Sequence, residues 1–94
     1  MARFLALIHH TDEGRKQLHH TTARARSFAA AAIQSGIAVE SQYWTTGAQD
    51  GFILLNGPEQ SVLHALAKLS QQGNVRIEVS RAYDAAEFDH LLGH

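Results

Sequence analysis

Two runs of this sequence are apolar at every position, Phe4-Leu5-Ala6-Leu7-Ile8 and Phe52-Ile53-Leu54-Leu55. A strand sends successive side chains to opposite faces, so an apolar run without alternation belongs in the middle of a sheet, with both faces shielded from water. Five residues are too few for a membrane span or for the apolar stretch of a signal peptide. A chain of 94 residues built on two such strands has room for one domain, residues 1–94, and none for a second.

Around these runs the pattern alternates between strand and helix. Residues 3–10 form the first strand, and Thr11-Asp12-Glu13-Gly14 breaks it, followed by a short helical turn over 15–19. Thr22 is placed to cap a helix through Ser35, with Gly36 as its left-handed stop. Ala25, Phe28, Ala29, Ala32 and Ile33 fall on one stripe of that helix. Residues 37–46 read as a second strand, with Ile37, Val39 and Tyr43 on one side and Glu40, Gln42 and Trp44 on the other. A glycine-bearing turn over 46–51 leads to the return strand 52–55. Asn56-Gly57-Pro58-Glu59 starts a helix that runs to about Gln72, buries Val62, Ala65, Leu66 and Leu69, and stops at Gly73. Residues 74–81 alternate as a fourth strand, with Val75, Ile77 and Val79 opposite Arg76, Glu78 and Ser80. Asp84-Ala85-Ala86-Glu87 has the form of a capping box ahead of a terminal helix carrying Phe88, Leu91 and Leu92.

The order βαββαβ with right-handed crossovers predicts an α+β, ferredoxin-like protomer: an antiparallel sheet in the order 4-1-3-2, two helices on one face, and an added C-terminal helix. The other sheet face must meet water or a partner. It is expected to carry Glu40, Gln42 and Trp44 on one edge strand and Arg76 and Glu78 on the other, about 14 Å apart at three strand spacings. A second copy packed face to face would cover it, with Glu40 or Gln42 of one chain opposite Arg76 or Glu78 of the other.

The segment 3–10 followed by Thr11-Asp12-Glu13-Gly14, then Tyr43-Trp44-Thr45-Thr46-Gly47-Ala48-Gln49-Asp50, then Gly73-Asn74-Val75-Arg76 with Ser80-Arg81-Ala82-Tyr83 and Glu87-Phe88, resembles the GYD-domain family over nearly the whole chain. The resemblance implies a ferredoxin-like protomer assembled as a dimeric α+β barrel, a homodimer or higher oligomer, and supplies no function. The family is named for a Gly-x-Tyr-Asp-like turn. Gly47 and Asp50 match that turn, while Gln49 stands where the tyrosine would be. Glutamine keeps a hydrogen-bonding tip but loses the ring and the titratable phenol. Gly47 then serves as a turn residue, and Asp50 as an acceptor for backbone N–H groups within the turn.

Several chemistries are excluded by composition. Eight Lys+Arg against nine Asp+Glu give a net charge of −1, with no bulk electrostatic pull toward nucleic acid or an acidic membrane. The Gly51–Leu55 segment also lacks the basic residue and second aromatic of an RNA-recognition strand. The absence of cysteine excludes disulfides, cysteine-ligated metals and thiol catalysis. Nothing calls for a cofactor, and the default location is cytoplasmic. Arg15, Lys16, Arg24 and Arg26 read as a solvated helix face.

Seven histidines raise the question of a metal, but His9-His10 and His19-His20 are adjacent pairs that diverge, and only His90 and His94 share a helical face. No metal site is assigned. His9 or His10, at the end of the first strand with Asp12 and Glu13 beyond, is the acid–base candidate, with Tyr43 as a third polar group. Some dimeric α+β barrels are cofactor-free monooxygenases or isomerases with an apolar pocket between sheet and helices. Here Phe28, Tyr43, Phe52 and Leu66 would line such a pocket. Two readings follow: a binder of a small organic ligand with an accessory or regulatory role, or a cofactor-independent enzyme acting on a small apolar or aromatic compound.

Overall fold

A computed structural model describes residues 2–93. Four strands, β1 (Ala2–His10), β2 (Ala38–Trp44), β3 (Gly51–Gly57) and β4 (Val75–Arg81), form one antiparallel sheet in the order β2-β3-β1-β4. This is the order expected from the sequence, and the fold is ferredoxin-like α+β. The two fully apolar runs occupy the two central strands, paired Phe4 with Leu55 and Leu7 with Phe52.

Helix α2 (Thr21–Gln34) and helix α3 (Glu59–Gln71) provide the apolar surface over one sheet face. Phe4, Ala6 and Ile8 of β1 and Ile53 and Leu55 of β3 meet Ala32, Val62 and Leu66 there in a single core, completed by Ile37. Alanine at 32 lets α2 approach the sheet closely. Its stripe is narrower than expected, since Ile33 is 66% exposed. Both helices end in glycine with positive φ, Gly36 at +80° and Gly73 at +84°, a backbone state that costs glycine nothing.

The start of α2 differs from expectation. Thr22 is not its cap. A 3₁₀ turn over Leu18–His20 runs straight into the helix, and the Thr21 N–H donates to the Leu18 carbonyl. The preceding turn thus supplies an acceptor that a capping side chain would otherwise provide. Ahead of it lies a short helix, α1 (Asp12–Lys16), capped by the Thr11 hydroxyl, which accepts the Gly14 N–H at 3.1 Å. Thr11 also fastens this segment to the α3–β4 turn: its N–H donates to the Asn74 carbonyl (3.1 Å) and its hydroxyl to the Gly73 carbonyl (2.6 Å).

The terminal helix α4 (Ala85–Leu91) has the expected capping box. Glu87 N–H donates to Asp84 Oδ1 at 2.8 Å, and Asp84 N–H to Glu87 Oε1 at 3.0 Å. None of its residues is buried. Among the described residues one ion pair ties it to the sheet, Arg3 Nη1 to Glu87 Oε1 at 2.8 Å, while Arg3 Nε donates to Glu40 Oε1 at 2.9 Å. Hydrogen bonding to Glu40, reinforced by Glu87, raises the Arg3 pKa above its ordinary value.

Candidate functional site

One irregularity in β2 decides which side chains share a face. Val39 pairs with Leu55 and Ser41 with Leu54, so Glu40 is an extra residue, a β-bulge. Paired residues lie on the same face of a sheet. Beyond the bulge the sequence alternation is therefore inverted. Gln42 pairs with Ile53 and Trp44 with Gly51, on the helix side, while Tyr43 pairs with Phe52 on the open side. The expected placement of Gln42 and Trp44 on the open face is corrected by this one residue. The Trp44 side chain confirms its side, for its Nε1–H donates to Thr21 Oγ1 on α2 at 3.2 Å.

Tyr43 and Phe52 are likewise moved. Their rings stand on the open face, centroids 5.6 Å apart, and both residues also border the cavity under the helices. Leu66 is 3% exposed within the core and borders neither this cavity nor the groove between α2 and α3. Of the four residues expected in an apolar pocket, Phe28, Tyr43 and Phe52 border the cavity, Phe28 from the helix side.

That cavity, about 70 Å³, lies between sheet and helices where the C-terminal ends of β1 and β2 meet the first turns of α2. Ile8, Phe28, Ile53 and Val75 make its apolar walls, and Trp44 extends them. His10, Arg24, Gln42, Asp50 and Asn74 bring polar groups to it from five different segments. A wider groove of about 800 Å³ runs along the outside between α2 and α3. Its lining mixes alanines and serines with longer polar side chains such as Gln60, His64 and Lys68.

The histidines separate at the strand end. His9 lies on the open face, its Nε2 3.2 Å from Glu78 Oε1 but out of line for a hydrogen bond. His10 falls on the helix side and borders the cavity. Asp12 and Glu13 do not join either one, since Arg15 and Lys16 pair with them at 3.1 and 3.5 Å. The carboxylate beside His10 is Asp50 instead. Its Oδ2 accepts the His10 backbone N–H at 2.7 Å, and its own N–H donates to the Ile8 carbonyl at 2.8 Å. The Asp50 carboxylate thus clamps the 46–51 connection to β1, rather than accepting N–H groups within the turn as expected. Gly47 sits in open space within that connection, and Gln49 contributes its carbonyl to the Thr45 hydroxyl at 2.6 Å.

Arg24 departs from the solvated basic face assigned to it. It is half-buried, lines the cavity and donates to Gln17 Oε1. Its signal in the sequence is its register. Arg24 precedes Phe28 by four residues, and the two share a helix face. The open face keeps Glu40, Arg76 and Glu78, with Arg76 and Glu78 paired at 3.1 Å within one strand. Among the described residues no group of three or more His, Asp or Glu side chains could hold a metal ion. His94, half of the one helical histidine pair, lies outside the described residues. No helix is long and apolar enough to cross a membrane.

A four-stranded ferredoxin-like sheet with helices on one face and a small cavity at the strand ends defines the class. Within it, the GYD-domain family model matches residues 4–92, and the chain belongs to that family. The known context of the family is the dimeric α+β barrel superfamily. A comparison with curated proteins returns no match.

Proposed function

We propose that this chain is a small-organic-ligand-binding protein with an accessory or regulatory role, acting in the cytoplasm as a homodimer through its open sheet face. The observation that carries the binding role is the convergence of polar residues from five segments on one apolar-walled cavity. Binding sites combine apolar walls with a few placed polar groups in this way. The enzyme reading rests on a single feature, His10 at the cavity wall with Asp50 fixing its backbone, a position from which an imidazole could exchange a proton with a bound molecule.

The dimer reading rests on the open face itself. Leu5, Leu7, Phe52, Leu54 and Tyr43 share it, with Tyr43 61% exposed. Glu40 near one edge and Arg76 near the other offer opposite charges to a second copy turned by a two-fold axis.

Nitrogen–proton correlation spectra recorded with a panel of small organic fragments test the binding role. Shifts are expected at the amides of Ile8, His10, Phe28 and Trp44. They should vanish in Ala25→Phe, which places a ring in the cavity. Shifts confined to the open face, or none with any fragment, would overturn the reading.

A further inference from the structure

Resting on the cavity as the binding site, we infer that its ligand is a small carboxylic acid, with a short aliphatic tail in the cavity and its carboxylate on Arg24. Charge identifies the head group. Arg24 is half-buried, yet it forms none of the ion pairs among the described residues, and its side-chain partner is a neutral amide oxygen of Gln17. A guanidinium has five donors in a planar fork that matches a carboxylate, and a neutral amide leaves most of that capacity unused.

The other charged group at the cavity does not serve Arg24. Asp50 lies beyond ion-pair distance of it and is engaged by the His10 amide at 2.7 Å. Trp44 has its one donor committed to Thr21. A cation with no carboxylate partner among the described residues, set against apolar walls, therefore defines a ligand with one anionic end and one apolar end.

Volume sets the tail. The cavity measures about 70 Å³, roughly half of the 150 Å³ that accommodates a benzene ring in an engineered apolar cavity. A tail of three or four carbons fits this space, and an aromatic ring does not.

Butyrate and its uncharged isostere butyramide are the probes, titrated into the full-length protein. The single tryptophan reports binding through its emission and its indole N–H signal. Butyrate is expected to shift both saturably, with butyramide at least tenfold weaker, since a charge-assisted pair is about twice as strong as a neutral hydrogen bond. Arg24→Gln should weaken butyrate roughly tenfold and leave butyramide unchanged. Equal binding of the two probes, or butyrate binding untouched in Arg24→Gln, would overturn the carboxylate assignment while the cavity remains a binding site. Failure of both probes to move the Trp44 signals, with fragments from the wider panel still shifting the cavity amides, would overturn the ligand class. Failure of that panel as well would overturn the site.

Discussion

Gly14 shows how one missing side chain holds the cavity end of the molecule together. It is buried in the first turn after β1, and a Cβ built there would lie 2.0 Å from the Asn74 carbonyl oxygen. No flexible side chain stands in between, so the backbone itself would have to move. Residues 11–14 and the α3–β4 turn are also the segments joined by both Thr11 hydrogen bonds. Gly14→Ala is therefore expected to cost about 2 kcal/mol, in the range of core overpacking, read as a lower urea midpoint with unchanged slope. Nothing in the bare sequence marks this glycine as tightly packed. It reads as a turn breaker, because the carbonyl it meets is sixty residues away in the chain.

At the scale of elements, the ends of the chain are linked by Arg3. It reaches from β1 to the bulge residue Glu40 and to Glu87 of α4, while Glu87 Oε1 also completes the α4 capping box. No side chain of α4 is buried, and Phe88 and Leu91 are 47% and 60% exposed. The ion pair is thus the principal polar hold on that helix. Arg3→Ala is expected to abolish amide-exchange protection across α4 while leaving protection in β1 and β3 intact. Protected α4 amides in that variant would show that another contact holds the helix. Because the carboxylates raise the Arg3 pKa, its stabilising charge is present below the ordinary arginine value and is lost only as pH rises through the raised one. Arg3 therefore adds no slope to stability near neutral pH.

For the whole molecule, the decisive feature is a sheet with helices on one side and a largely apolar strip on the other. Leu7 sits at the centre of that strip, between Phe52 on β3 and Glu78 on β4. Leu7→Arg places a charge where a second copy would pack. It is expected to convert a dimer to a monomer in sedimentation, with an unchanged far-ultraviolet spectrum. A dimer of unaltered stability would show that the open face is not the interface.

The sequence by itself determined the four strands, the three helices α2, α3 and α4, the sheet order and the family, because those follow from local signals. The apolar runs at 4–8 and 52–55 mark central strands, Gly36 and Gly73 mark helix ends, and Asp84 with Glu87 marks a cap. Phe28, Tyr43, Phe52 and His10 were also legible as residues bordering the cavity, through helical spacing and position on the strands. Only the tertiary structure decided the facing of Gln42, Tyr43 and Trp44. One bulge at Glu40 inverts the alternation downstream, and a period of two carries no warning of an added residue. Arg24 was hidden for a related reason. Its neighbours at the cavity come from β1, β2 and the 46–51 connection, and a charge on a helix looks solvated until those segments close around it.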